Sequence, residues 1–466
     1  MMTSSRARER VIALVVIATI AAAAVATWLY SNRMRRDRDA MLYIPKSSPV
    51  TPSTLLLEQY VRIKTVNPPG SEIDGARFLA QRLAEVGVKA EIMEAAPGRA
   101  SLYARIKGKR PGDALMLLNH IDVVPPTGKW DRPPFSGSIM INMVYGRGTA
   151  DMKGVAICEL QAFCDIARSG RVPEHDLVFL AVADEERAGA LGTRWLLDHR
   201  PDVFEGVRYA INEGGITEMG RESMVYFGIE TGSKQMVDLD LAAPSRDNLL
   251  ALRRTLEPYI QPRQTMRILP AVREFFSAIA PTRRENREVL QDIDATMRLE
   301  KGWLIPSNYA EMMMNTMWMS GVTPATGGGY KLRVQMRSLP DEEPDARMTW
   351  LTGMAKPFGA VIGEVRQKQG PAPPSASDTT LFRLIASTAT RQYHAPAGPE
   401  VLPFSTTDSR FLRACGIACY GVQPFPLDFF QSLGIHGPNE RVRVDWFEQG
   451  VTFTREIVRR WAFETP

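Results

Sequence analysis

Four short, nearly all-apolar runs constrain this chain more than anything else in its sequence. They are Leu115-Met116-Leu117-Leu118, Leu177 through Ala183, Tyr209-Ala210-Ile211 and Ile417-Ala418-Cys419-Tyr420. Such runs fit strands covered on both faces of a sheet. Between the first two, Val155, Ile157, Leu160, Phe163, Ile166 and Ala167 recur at helical spacing. Strands alternating with helices predict an α/β fold with helices on both sides of the sheet.

The pattern changes between about residues 230 and 370. Met236 to Leu241 alternates apolar with acidic, and Lys331 to Arg337 alternates similarly, as one-sided strands do. Helical patterns at 246–258 and 344–357 each follow one of these strands. A small α+β domain inserted into the first is expected, and the α/β pattern returns after Pro371-Ala372-Pro373-Pro374. The expected division is 53–229 and 371–466 for the larger domain and 230–370 for the insertion. A chain of 466 residues has room for about two or three such units.

Ahead of them, Val11 to Tyr30 is twenty residues without a charge, long enough to span a bilayer as a helix, with Trp28 and Tyr30 at its end. The expectation is a single-pass anchor over residues 1–30 and a linker over 31–52. A cleaved signal peptide is the alternative, since Ala24-Val25-Ala26 has the form of a cleavage site. A short tail before a large body places the body outside the cytoplasm, periplasmic or extracellular. Seven arginines flank this segment and exceed the whole net charge of +5, so the remainder is near neutral and nucleic-acid binding is not expected. Cys158, Cys164, Cys415 and Cys419 form no C-x-x-C pair and read as small buried hydrophobes.

Polar residues gather just past the ends of the apolar runs. His120 and Asp122 follow the first, Asp184-Glu185-Glu186 the second and Glu213 the third, while Asp151 opens a helix after Gly146-Arg147-Gly148. Ligands of open α/β sheets bind in the crevice beyond strand carboxyl ends. A mixed set of imidazole and carboxylate suits a catalytic metal. One bridging carboxylate lets such a set hold two cations, and a further carboxylate can act as general base.

The words around these residues carry a resemblance. His120-Ile121-Asp122-Val123-Val124-Pro125, Trp130, Pro134-Phe135-Ser136-Gly137, Gly146-Arg147-Gly148-Thr149-Ala150-Asp151-Met152-Lys153-Gly154 and Asp184-Glu185-Glu186 come in order. Thr65-Val66-Asn67-Pro68-Pro69-Gly70, Ser409-Arg410 and His436-Gly437-Pro438-Asn439-Glu440 extend the match over about residues 53–460. Together they closely resemble the di-zinc metallopeptidase family of aminoacylase, glutamate carboxypeptidase, acetylornithine deacetylase and succinyl-diaminopimelate desuccinylase. The resemblance implies a zinc-peptidase-like catalytic domain with a central mixed sheet and an inserted α+β lid. It implies two Zn2+ ions, with Co2+ or Mn2+ as alternatives. His120, Asp151, Glu186, Glu213 and His436 would hold them, Asp151 as the bridge, with Asp122 behind His120. Glu185 would be the general base, and Arg410 and Arg337 would bind the substrate. The implied partner is a small molecule or short peptide with a free carboxylate, and in part of the family a homodimer forms through the lid.

The implied function is hydrolysis of an amide or peptide bond beside a free carboxylate, of carboxypeptidase or N-acyl-amino-acid deacylase type. One feature of the family is missing. No histidine lies between His199 and His394, so the lid histidine expected soon after Glu230-Thr231-Gly232 is absent. Losing one oxyanion donor typically lowers the rate by about two to three orders of magnitude. The alternative is therefore a membrane-tethered, weakly active or non-catalytic relative that binds a peptide or partner.

Overall fold

The apolar runs become interior strands of a nine-stranded mixed sheet. The computed structural model describes residues 48–466 apart from 221, 222, 284, 371, 404, 405, 465 and 466. Its main strands are β1 (Ala90–Ala96), β2 (Arg99–Ile106), β3 (Arg110–His120), β4 (His175–Val182), β5 (Val207–Asn212), β6 (Met224–Ser233), β7 (Ala397–Leu402) and β8 (Ala418–Val422). They lie in the order β1-β2-β4-β3-β5-β8-β6-β7, with Thr217–Met219 pairing on β6. β3 runs parallel to β4 and β5, and β8 runs parallel to β5. The carboxyl ends of these four strands therefore share one edge. Register brings His120 opposite Val182 and Leu117 opposite Ile211.

Side-chain alternation explains why the runs are continuously apolar. Leu115, Leu117, Leu177, Phe179 and Ala181 enter one core, while Met116, Leu118, Val178, Leu180 and Val182 enter another on the opposite face. The first core lies under helices Lys153–Arg168 and Val444–Glu464, which pack against each other. The helix Lys153–Arg168 gives way at Gly170, whose φ of 64° suits a glycine closing a last turn. Truncating the fully buried Phe179 to alanine would cost about 3–5 kcal/mol.

The inserted lid is a four-stranded antiparallel sheet in the order 316–324, 330–338, 235–243, 361–368. Helices Arg246–Leu256 and Pro344–Ala355 cover one face through Leu249, Leu252 and Leu351 against Leu239, Val334 and Met336. Ser245 caps the first of them by accepting from the Asn248 N–H at 3.3 Å. The acidic side of the 235–243 strand is not left to solvent. Asp238 and Asp240 are only 4% exposed, because Arg333, Gln335, Arg366 and Lys331 close over them. A helical layer between Arg263 and Met313, with Phe275, Phe276 and Tyr309 in its core, packs on Tyr226 and Val401 of the main sheet. Only Lys234 separates β6 from the first lid strand.

The expected anchor, Val11 to Tyr30, lies outside the described residues. Among the described residues no helix is long and apolar enough to cross a membrane. The longest, Val444–Glu464, carries Asp445, Glu448, Arg455 and Arg459 and buries its other face on the sheet. This corrects the single-pass, exocytoplasmic placement read from the N-terminus, which is withdrawn. Cys158, Cys164 and Cys419 are buried as expected, but Cys415 is exposed, and all of them are free thiols.

Candidate metal centre

His120 ends β3 with its ring buried. Its Nδ1 lies 2.9 Å from the carbonyl oxygen of Asp122, which can only accept, so Nδ1 carries a proton and Nε2 is the nitrogen turned to the cluster. That nitrogen meets carboxylate oxygens: Asp151 at 3.1 Å and Glu213, just past β5, at 3.6 Å. The Asp122 carboxylate lies 3.6 Å from Nδ1 and has further partners. It accepts from Asn67 Nδ2 at 2.8 Å and from the N–H groups of Glu185 and Glu186, each at 3.2 Å, which fixes the turn carrying both glutamates. Asp184, before them, has a left-handed backbone (φ 66°), unusual without glycine. Arg99, Asn67 and the Leu191 N–H hold its carboxylate, and Arg99 is itself clamped by buried Glu72.

Asp151 lies between two imidazoles. Its second oxygen is 2.9 Å from His436 Nε2, which also lies 3.1 Å from Glu186. The loop before Asp151 is held by Glu440, four residues beyond His436. Glu440 accepts from Arg147 (2.6 Å) and from the N–H groups of Gly148, Ala150 and Asp151 (3.0, 2.9 and 3.2 Å). Strand 441–443 then pairs with 143–145, locking the two segments together.

The electrostatics are those of an anionic pocket short of countercharge. Burial, with Glu213 nearby, pushes the Glu185 carboxyl well up, and burial beside Asp151 pushes Glu186 up as well. Burial would lower His120, but Glu213 and the neighbouring carboxylates hold it well above its ordinary value. Hydrogen bonds to Asp151 and Glu186 raise His436 to about 11. Burial would raise Asp151, yet the two imidazoles hold it far below the carboxylate range. One oxygen of Glu186 is buried with no hydrogen-bond partner. An imidazole nitrogen ringed by carboxylates, an orphaned carboxylate oxygen and a set of imidazole and oxygen donors all fit divalent cations. The ligand atoms of His120, Asp151 and Glu186, and those of His120, Glu185 and Glu213, lie within 4.8 Å of one another.

The cluster opens into a cavity of about 610 Å3, lined by Asp151, Glu185, Glu186, Glu213 and His436 together with Arg410 and, from the lid, Arg337. Arg410 is oriented by the carbonyls of Thr407 (2.9 Å) and Ala188 (3.0 Å) and lies over the Phe411 ring. Every residue singled out from the sequence thus lies in or directly behind one cavity. Asn67, Arg99, Glu72 and Glu440 were not singled out. Asn67 stands inside the Thr65–Gly70 word and Glu440 inside the His436–Glu440 word, and those words were the available signal. Arg99 and Glu72 carry none, because only the fold brings them to Asp184.

A family model described as peptidase family M20/M25/M40 matches residues 116–460, well over half of the chain. The chain belongs to this family. The M20 chain is 27% identical over 414 residues to aminoacylase-1A of Rattus norvegicus, covering 87% of this chain and 94% of that protein. It is 39% identical over 150 residues to a succinyl-diaminopimelate desuccinylase of Methylorubrum populi, covering 31% and 38% of the two chains. In fold it is similar to an M20 family metallo-carboxypeptidase from Sulfolobus solfataricus, with a TM-score of 0.68, 18% identity and coverage of 88% and 99%. Human carnosine dipeptidase 1 superposes with a TM-score of 0.66 at 14% identity, covering 88% and 96%. The M20 chain is a hydrolase with a catalytic sheet and an inserted lid.

Proposed function

We propose that the protein is a two-metal hydrolase that releases an amino acid from N-acyl amino acids or short peptides, cutting the amide beside a free carboxylate. The observation that carries this reading is the position of Asp151. One of its oxygens faces His120 and Glu213, and the other side faces His436 and Glu186. Each group forms half of a paired site sharing one carboxylate, and zinc suits the donor set best. When bound, such a pair supplies Lewis acidity to a carbonyl and lowers the pKa of water.

The chain's own residues supply the remainder. Arg410 offers its planar fork to the substrate carboxylate, and Arg337 holds the substrate from the lid side. Glu185, which lines the cavity beside the cluster, takes a proton from water there and delivers it to the leaving nitrogen. A protein that only bound its ligand would have no use for a buried carboxylate at that point. The names of the relatives, an aminoacylase and a desuccinylase, agree with a deacylase acting on a carboxylate-bearing substrate.

The test is the full-length chain, zinc-loaded, incubated with a panel of N-acyl amino acids and dipeptides and followed by mass spectrometry. Free amino acid should appear with the parent protein and vanish with Glu185→Gln, while both proteins retain their metal. Turnover unchanged by Glu185→Gln would refute the assignment of the base.

A further inference from the structure

The cavity at the acidic cluster has a neighbour on the lid. A hollow of about 280 Å3 opens between Gln261, Glu311, Trp318 and Gln335, and Arg337 is a wall of both. Sheet register explains why they adjoin. Arg337 pairs with Met236 and Thr316, and Gln335 pairs with Asp238 and Trp318. Residues two apart on a strand share a face. Met236 and Arg337 therefore form the row nearest the cluster, and Trp318, Gln335 and Asp238 form the next row outward.

Trp318 is unusual on this face. It is 52% exposed, while Met317 and Met319 on either side turn into the lid core. Ile260 and Met317 give the hollow apolar wall, and its polar walls are already oriented: Gln261 donates to Glu311 at 2.8 Å, and Gln335 donates to Asp238 at 2.9 Å. An exposed indole in a hollow of mixed apolar and amide wall suits a planar group lying on its ring.

We infer that this hollow is a subsite for the acyl side of the substrate, taking an aromatic ring or a peptide plane stacked on Trp318. The inference rests on the function proposed above. A substrate whose free carboxylate is held at Arg410 ends there, so its acyl side is the part that continues past Arg337. The protein should accordingly favour long, planar acyl groups or tripeptides over N-acetyl substrates.

The experiment uses full-length, metal-loaded protein and two substrates that release the same amino acid. One is N-acetylated, and the other carries a 3-phenylpropionyl-glycyl group. Trp318→Ala should lower the ratio of kcat/KM for the long over the short substrate about tenfold, through KM. Gln261→Trp, which fills the hollow from its far wall, should lower the same ratio. Calorimetric binding of the long substrate to metal-loaded Glu185→Gln should weaken in step when Trp318→Ala is added. A ratio unchanged in both variants overturns the subsite. If neither substrate is cleaved by the parent protein, the proposed function fails instead. The calorimetry then decides the subsite alone: binding indifferent to Trp318→Ala overturns it, and weakened binding supports it.

Discussion

Replacing Glu440 by glutamine keeps its volume and removes its charge, so the change opens no cavity and isolates the hydrogen bonding. One oxygen of Glu440 serves Arg147 and Gly148, and the other serves Ala150 and Asp151. Whichever oxygen becomes the NH2 group, two donors face another donor. The Arg147 side chain is 1% exposed and Glu440 is fully buried, so water cannot step in. Each unmet buried donor costs about 1–3 kcal/mol, and breaking a buried ion pair from one side costs about 3–5 kcal/mol. Glu440→Gln should therefore lose about 3–5 kcal/mol of stability in urea denaturation of the metal-free protein. Metal content after gel filtration should fall in parallel, because Asp151 and His436 both depend on this anchor. A loss below about 1 kcal/mol with full metal content would refute the role given to Glu440.

Other outcomes follow from the same geometry. Arg410→Lys should raise KM about 10- to 100-fold for substrates with a free carboxylate, the worth of a forked pair, and leave the matching methyl esters unaffected in steady-state assays. Burial lowers Lys234 from 10.5 to about 7, so across that window the unfolded chain binds a proton that the folded chain lacks, and stability rises with pH. Lys234→Met should stabilise the protein by about 3–5 kcal/mol near pH 7, with the gain fading toward pH 10.5, and parallel pH profiles of melting would refute this. Stripping divalent cations with a chelator should abolish turnover and lower the melting temperature, and zinc at about 100 times its Kd should restore about 2.7 kcal/mol, read by calorimetry.

The strands that carry the site were legible because burial on both faces admits only apolar side chains, as in Leu115–Leu118 and Leu177–Ala183. His120, Glu186 and Glu213 were legible because they follow such strands directly. β6 and β7 were not, since each has a buried acid inside it. Glu230 is neutralised by Arg413 at 2.7 Å, and Glu400 accepts from the Ile216 N–H at 2.7 Å. Both read in sequence as breaks in an apolar run. The helical layer at 263–313 is built of short pieces whose apolar stripes make sense only against Tyr226 and Val401. The geometry around Asp122 was hidden for a similar reason. Its carboxylate partners, Asn67 and the turn at Glu185, are brought to it by the fold, and nothing in the local sequence shows them.

The strand order also bears on how such a protein is made. β8, near the end of the chain, lies between β5 and β6, which are completed some two hundred residues earlier. A ribosome-bound chain can therefore assemble the β3–β4–β5 half, but the sheet keeps an open seam until β8 emerges. His436 follows later still, so the half of the paired site that it shares with Glu186 is incomplete until synthesis is nearly over. Non-local pairing of this kind folds slowly and leaves unpaired edges exposed meanwhile. A chain truncated before residue 418 would carry that seam permanently, with its four clustered carboxylates in place but without His436 or the Glu440 anchor.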